Sequence, residues 1–205
     1  MDLYDCIYKR RDTRHFTDNE VPEAVLLKAL DAAHAAPSVG LSEPWRFVVV
    51  KSTAKKKEIK ALFNASNEQA KLGITDKNQS TLYNTFKLEA IEETPLGIAI
   101  FCDSSTLDNF TIGTIGTIGN TSTLEWSCAC AVQNLWLSLT EQGFGAGWVS
   151  ILDYSKFENL FDVPKAWKSL GYMCIGQPAT DYGGQPMLQK EKWKNRSEKP
   201  HVEYV

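Results

Sequence analysis

The chain has 205 residues, 43% hydrophobic and 23% charged, with a formal charge of −3. That composition suits one globular domain over residues 1–205, without the basic footprint that nucleic-acid binding needs. It has no apolar run long enough for a membrane span, and its opening MDLYDCIYKR lacks the apolar region of a signal peptide. The five cysteines (6, 102, 128, 130 and 174) are odd in number and form no framework, so free, mostly buried thiols in a reducing, cytoplasmic compartment are expected. His15, His34 and His201 are scattered and there is no CxxC, so no metal site is expected.

In chain order, residues 2–9 read as a short helix. Pro22 to Ala36 reads as a second, with Val25, Leu26, Ala29, Leu30 and Ala33 on one apolar stripe and Pro37 as its stop. Trp45 to Val50 is a β-branched and aromatic strand. Ser52 or Thr53 caps a long polar helix to about Leu72. Leu82 to Glu92 is read as a further helix, ended by Pro95, and Leu96 to Cys102 as a buried strand. Thr111 to Asn120 repeats Thr-Ile-Gly three times and reads as a loop, either a surface loop or a lid. Leu124 to Gln142 is the strongest helix and reads as central and buried. The run Gly143 to Gly147 ends it, Trp148 to Leu152 begins a strand or an active loop, and Ser169 to Ile175 is the last strand. The tail from Gln185 has no core pattern and needs another surface to order it.

Arg10-Arg11-Asp12-Thr13-Arg14 is the most informative segment. Guanidinium forks grip phosphates, whereas a carboxylate among them opposes that use unless it has chemistry of its own. The alternative is a solvated basic turn with an ion-paired Asp. Pro37-Ser38-Val39-Gly40-Leu41-Ser42-Glu43-Pro44-Trp45 is either a turn or a loop whose amides and hydroxyls meet a planar polar ring. Gly143-x-Gly145-x-Gly147 follows a helix, so it is not a dinucleotide fingerprint. Lys192 to Arg196 is either a solvated basic tail or a second arm on the same phosphate.

Together these segments resemble the FMN-dependent nitroreductase superfamily over essentially the whole chain. Asp12, Cys130 to Leu137, and Gly147-Trp148-Val149-Ser150-Ile151-Leu152 are similar to its flavin-fragmenting branch, the 5,6-dimethylbenzimidazole synthases of vitamin B12 lower-ligand biosynthesis. Ordinary nitroreductases usually carry Ser where this chain has Asp12. Glu43-Pro44-Trp45 is also similar to the iodotyrosine deiodinase branch.

The resemblance implies an α+β sandwich with a central, mostly antiparallel sheet flanked by helices. It also implies a homodimer, with the C-terminal tail extending onto the partner. FMN would be both occupant and substrate, delivered reduced by a separate flavin reductase, with O2 as co-substrate. Arg10 and Arg196 would bind its phosphate, assisted by Arg11, with Thr13 in the same binding segment. Arg14 would lie near the flavin N1–C2=O edge. Ser38 and Leu41 would contact the ring or ribityl chain, and Val149, Ser150 and Ile151 would face N5. Asp12 and Ser150 are the implied catalytic residues. Asp12 would act in proton transfer, kept ionised by its arginines, and Ser150 would hydrogen-bond N5 or bound oxygen. Alternatives are an NAD(P)H nitroreductase, a reductive dehalogenase, and a flavin-binding protein without turnover.

Overall fold

The structure, a computed structural model, describes residues 1–107, 111–120, 122–181 and 183–205. Among them, eight α-helices surround a four-stranded sheet: α1 (Leu3–Lys9), α2 (Glu23–His34), β1 (Trp45–Val50), α3 (Thr53–Leu72), α4 (Lys77–Tyr83), β2 (Leu96–Asp103), α5 (Thr111–Thr117), α6 (Thr123–Glu141), β3 (Gly145–Val149), α7 (Tyr154–Phe161), β4 (Trp167–Gly176) and α8 (Met187–Lys190). The strand order is β1-β2-β4-β3 and every pairing is antiparallel, which is the α+β class expected.

The sheet divides the core. On one face, Leu26, Ala29 and Ala33 of α2 and Cys128, Val132, Leu135 and Leu139 of α6 pack against Ile98, Ile100, Met173 and Ile175. On the other, Ile59 and Phe63 of α3 and Phe157 of α7 pack against Ala99, Phe101, Tyr172 and Cys174. Covered on both faces, β2 is buried at every position. That explains its continuous apolar sequence.

Several helices begin on a side-chain cap. Ser52 Oγ accepts from the Lys55 amide, Asp76 from Gln79 and Asp153 from Lys156. Two of these caps correct the sequence reading. Asp76 starts α4 five residues before the expected Leu82, and Asn84 ends it. Residues 84–95 then follow other bonds: the buried Glu89 accepts from the Ile91 amide and pairs with Lys60. Asp153 starts α7, a helix the sequence reading passed over.

The Thr-Ile-Gly segment is also corrected. It forms α5 rather than a loop, and rests on the single 3-10 turn Val39–Leu41. A Cβ at Gly116 would lie 2.5 Å from Val39 Cγ2. A side chain at residue 116 would force Val39 to shift, and packing here overrides weak helix propensity. Among the described cysteines, Cys6, Cys102, Cys128 and Cys174 are buried free thiols and Cys130 is exposed.

Candidate functional site

The Arg10–Arg14 segment adds a rung to the β3 edge. Asp12 bridges Ala146 in parallel register, and the Thr13 amide donates to the Ala146 carbonyl at 2.9 Å. The glycine spacing makes this possible. A Cβ at Gly145 would lie 2.7 Å from Thr13 Oγ1, and one at Gly147 would collide with Arg14 Nη1 and the Thr13 carbonyl. Gly145-x-Gly147 is thus the seat of the N-terminal segment.

Asp12 lies at the centre of that seat. Its Oδ1 accepts from the Trp148 amide at 2.9 Å, and its Oδ2 pairs with Arg14 Nη2 at 2.5 Å. Arg14 Nη2 also donates to the Trp148 carbonyl at 3.0 Å. Arg14 is only 6% exposed, while the Asp12 side chain keeps 42% of its surface open. Burial raises the Asp12 pKa above the ordinary carboxylate value, against the opposing pull of Arg14, the Trp148 amide and Arg10. The sequence expectation, in which the arginines keep the carboxyl ionised, left out this burial.

Arg10 lies over the Trp136 ring, its Cζ 4.6 Å from the centroid. Arg11 donates to the carbonyls of Arg10 and Gly184, while its Nε is buried with no partner. Arg196, exposed in the tail, comes close enough to act on both. Burial lowers the Arg10 and Arg11 pKa values, and the Arg196 charge lowers each further. Arg10 and Arg11 thus lie beside one carboxylate with the Arg196 charge within electrostatic reach, a donor set suited to a multiply charged anion.

Ser150 follows β3 and is exposed. Val149 is buried, its side chain in the second core cluster, and Ile151 is half-buried against it. Thr13 is buried against Gly145. The structure thus brings Arg10, Arg11, Asp12, Thr13 and Arg14 together, with Arg196 within electrostatic reach and Ser150 two residues beyond the Trp148 that binds Asp12.

Ser38 and Leu41 lie elsewhere in the chain. The Val39 amide donates to Ser127 Oγ at 3.1 Å, near the start of α6, whereas Arg10 sits on Trp136. Nine residues separate Ser127 from Trp136, roughly 13 Å along the helix and half a turn around it. The loop itself is strained. Gly40, Leu41 and Glu43 have φ of +56°, +53° and +45°, and Leu41 is 78% exposed. Left-handed backbone at a leucine is rare and concentrates at ligand-binding segments.

A cavity of about 530 Å³ opens on the outer side of the N-terminal segment, lined by Lys9, Arg11, Thr13, Phe144, Gly145 and Pro178. It takes in Arg11 and Thr13 but not Asp12 or Ser150. Among the described residues no cluster suited to a metal ion occurs.

Sequence reasoning missed Trp136 as the platform for Arg10, and Trp148 as the residue that clasps both Asp12 and Arg14. The second acts through its backbone amide and carbonyl, which no side-chain identity announces.

Residues 7–177 match the Nitroreductase family. The chain belongs to that family. It is 35% identical over 202 residues to a 5,6-dimethylbenzimidazole synthase of Rhodospirillum rubrum, covering 98% of this chain and 93% of that protein. A second 5,6-dimethylbenzimidazole synthase, from Rhodobacter capsulatus, is 34% identical over 193 residues, 94% and 90% of the two chains. The crystal structure of an oxidized iodotyrosine deiodinase bound to FMN and 3-iodo-L-tyrosine shares the nitroreductase fold with a TM-score of 0.73. Its identity is 21%, over 100% of this chain and 97% of that one. Among the described residues no helix is long and apolar enough to cross a membrane.

Proposed function

We propose that this nitroreductase-family chain is a 5,6-dimethylbenzimidazole synthase. It takes reduced FMN as substrate and uses O2 to fragment it, releasing 5,6-dimethylbenzimidazole and erythrose 4-phosphate. The observation that carries this reading is the hydrogen bond from the Trp148 amide to Asp12. It joins the two segments in which an Asp and a Ser distinguish the synthase pattern from the reductases. Two full-length synthase relatives support it.

The residues fit a flavin mononucleotide. Arg10, Arg11 and Arg196 hold the phosphate, with the Trp136 ring beneath Arg10. Reduced FMN supplies the electrons for O2. Asp12, with its raised pKa and open surface, exchanges a proton with the bound molecule, and Arg14 holds it in orientation. Exposed Ser150 offers a hydroxyl for orientation. Val149 contributes backbone alone, since its side chain is in the core.

The active form in this reading is a homodimer. Ser38 and Leu41 of one copy complete the site built on Arg10 to Arg14 of the other, because one chain holds them on opposite sides of α6. The exposed stripe Trp126, Ala129, Cys130 and Gln133 on α6 offers the contact face. A separate flavin reductase supplies the substrate, and the buried free thiols accord with a cytoplasmic location. The whole chain, 1–205, acts as one domain.

The test is product analysis after mixing the protein with photoreduced FMN in air. Dimethylbenzimidazole is expected, and recovery of intact FMN alone would refute the synthase reading. The competing reductive dehalogenase, favoured by Glu43 before Pro44-Trp45, would instead release halide from a halotyrosine.

A further inference from the structure

Lys192 to Arg196 lies beyond the segment that matches the family, yet its first two residues are held in place. α8 ends in a double-bonded turn: the Trp193 amide donates to the Leu188 carbonyl at 2.9 Å and the Lys192 amide to Gln189 at 3.1 Å. This closure requires a left-handed residue, here Lys192 with φ of +58°, where glycine is the usual occupant. The strained turn delivers Trp193 between two rings, 6.1 Å from Tyr83 and 5.5 Å from Phe86, which are themselves 6.2 Å apart. The Tyr83 hydroxyl donates to Asn67 Oδ1 at 2.7 Å, tying this clasp to α3.

Three residues later comes Arg196, within roughly 11 Å of backbone from Trp193. Among the described residues no hydrogen bond or ion pair holds Asn195 to Pro200. Trp193 is therefore the last anchor before Arg196.

We propose that Trp193, clasped by Tyr83 and Phe86, is a positioning residue that sets Arg196 on the ligand's phosphate, so that preference for FMN over riboflavin is controlled from α4. This rests on the FMN reading above.

Binding of FMN and of riboflavin, followed by flavin fluorescence, tests it in the full chain. The wild type should prefer FMN. Trp193→Ala should raise the FMN Kd about tenfold and leave the riboflavin Kd within about twofold of its wild-type value. Arg196→Ala should do the same, the double variant should be no weaker than Arg196→Ala alone, and Trp193→Phe should restore the preference. Equal weakening for both flavins, or additive losses in the double variant, would overturn the proposal while leaving FMN binding intact. A wild-type protein that binds neither flavin would overturn the FMN reading, and this proposal with it.

Discussion

The Arg14 guanidinium occupies the space that a side chain on Gly147 would need. The obstacle includes the Thr13 carbonyl, which is backbone and cannot swing aside. Gly147→Ala should therefore cost about 2–3 kcal/mol in urea unfolding, as overpacking in a dense site does. Gly119→Ala, with nothing within 4 Å of the added carbon, should change stability by less than about 0.5 kcal/mol. Equal effects at the two sites would remove the packing role assigned to Gly147.

Asp12→Asn keeps a side-chain oxygen for the Trp148 amide but removes the charge opposite Arg14. FMN binding should persist within a few-fold, while dimethylbenzimidazole formation falls by about 100-fold, as for loss of a proton-transfer group. Asp12→Ala should in addition cost about 2 kcal/mol of stability. It removes the carboxylate beside the buried Arg14, an effect moderated by the bond Arg14 keeps to the Trp148 carbonyl and by the open side of the carboxylate. Near-normal product yield from both variants would exclude Asp12 from the chemistry.

Arg10→Ala should weaken FMN by about 1.5–3 kcal/mol, the value of a charged hydrogen bond. Riboflavin, which lacks the phosphate, should be little affected. Titration by fluorescence quenching measures both, and unchanged FMN affinity would displace Arg10 from the phosphate site.

Asp103 offers a pH test remote from the site. Burial alone would raise its pKa, but hydrogen bonds from the Ser105 hydroxyl and amide, with Arg46 at 2.9 Å, hold it below the ordinary 3.8. A depressed carboxyl stabilises the fold above its unfolded pKa and loses that contribution as pH falls through the folded value. Asp103→Asn should thus cost about 2 kcal/mol at pH 7. The gap to wild type should close below pH 3.8. A gap independent of pH would mean that packing, not charge, is responsible.

A charge in the middle of the exposed α6 stripe should prevent self-association. Cys130→Glu is expected to elute as a monomer in light-scattering chromatography, and to lose FMN affinity if the Ser38 loop must come from the other copy. A monomeric variant with full FMN affinity would show that one chain suffices.

Elements governed by local signals were legible in the sequence. β1 falls on the predicted Trp45–Val50, and α3 runs from the expected cap to Leu72. β3 begins at Gly145, three residues before the predicted Trp148, because glycines rarely announce a strand. Here they pair with Cys174 to Gly176. The Arg10–Arg14 segment was recognisable by composition. Its burial of Arg14 was not, since nothing local reveals that residue 147 leaves room for a guanidinium. The raised Asp12 pKa was hidden for a related reason: its cationic neighbours are visible in the sequence, but the burial that outweighs them is not. The clasp on Trp193 joins residues over a hundred positions apart.

The contact of Gly116 with Val39 gives the triplet repeat a fixed length. One more Thr-Ile-Gly unit, continued as helix, would keep a glycine at position 116 but turn the following chain by about 300° and shift it by about 4.5 Å, so Ser127 of α6 would no longer meet the Val39 amide. A spacer can gain or lose units freely, but this repeat is indexed to the loop beneath it.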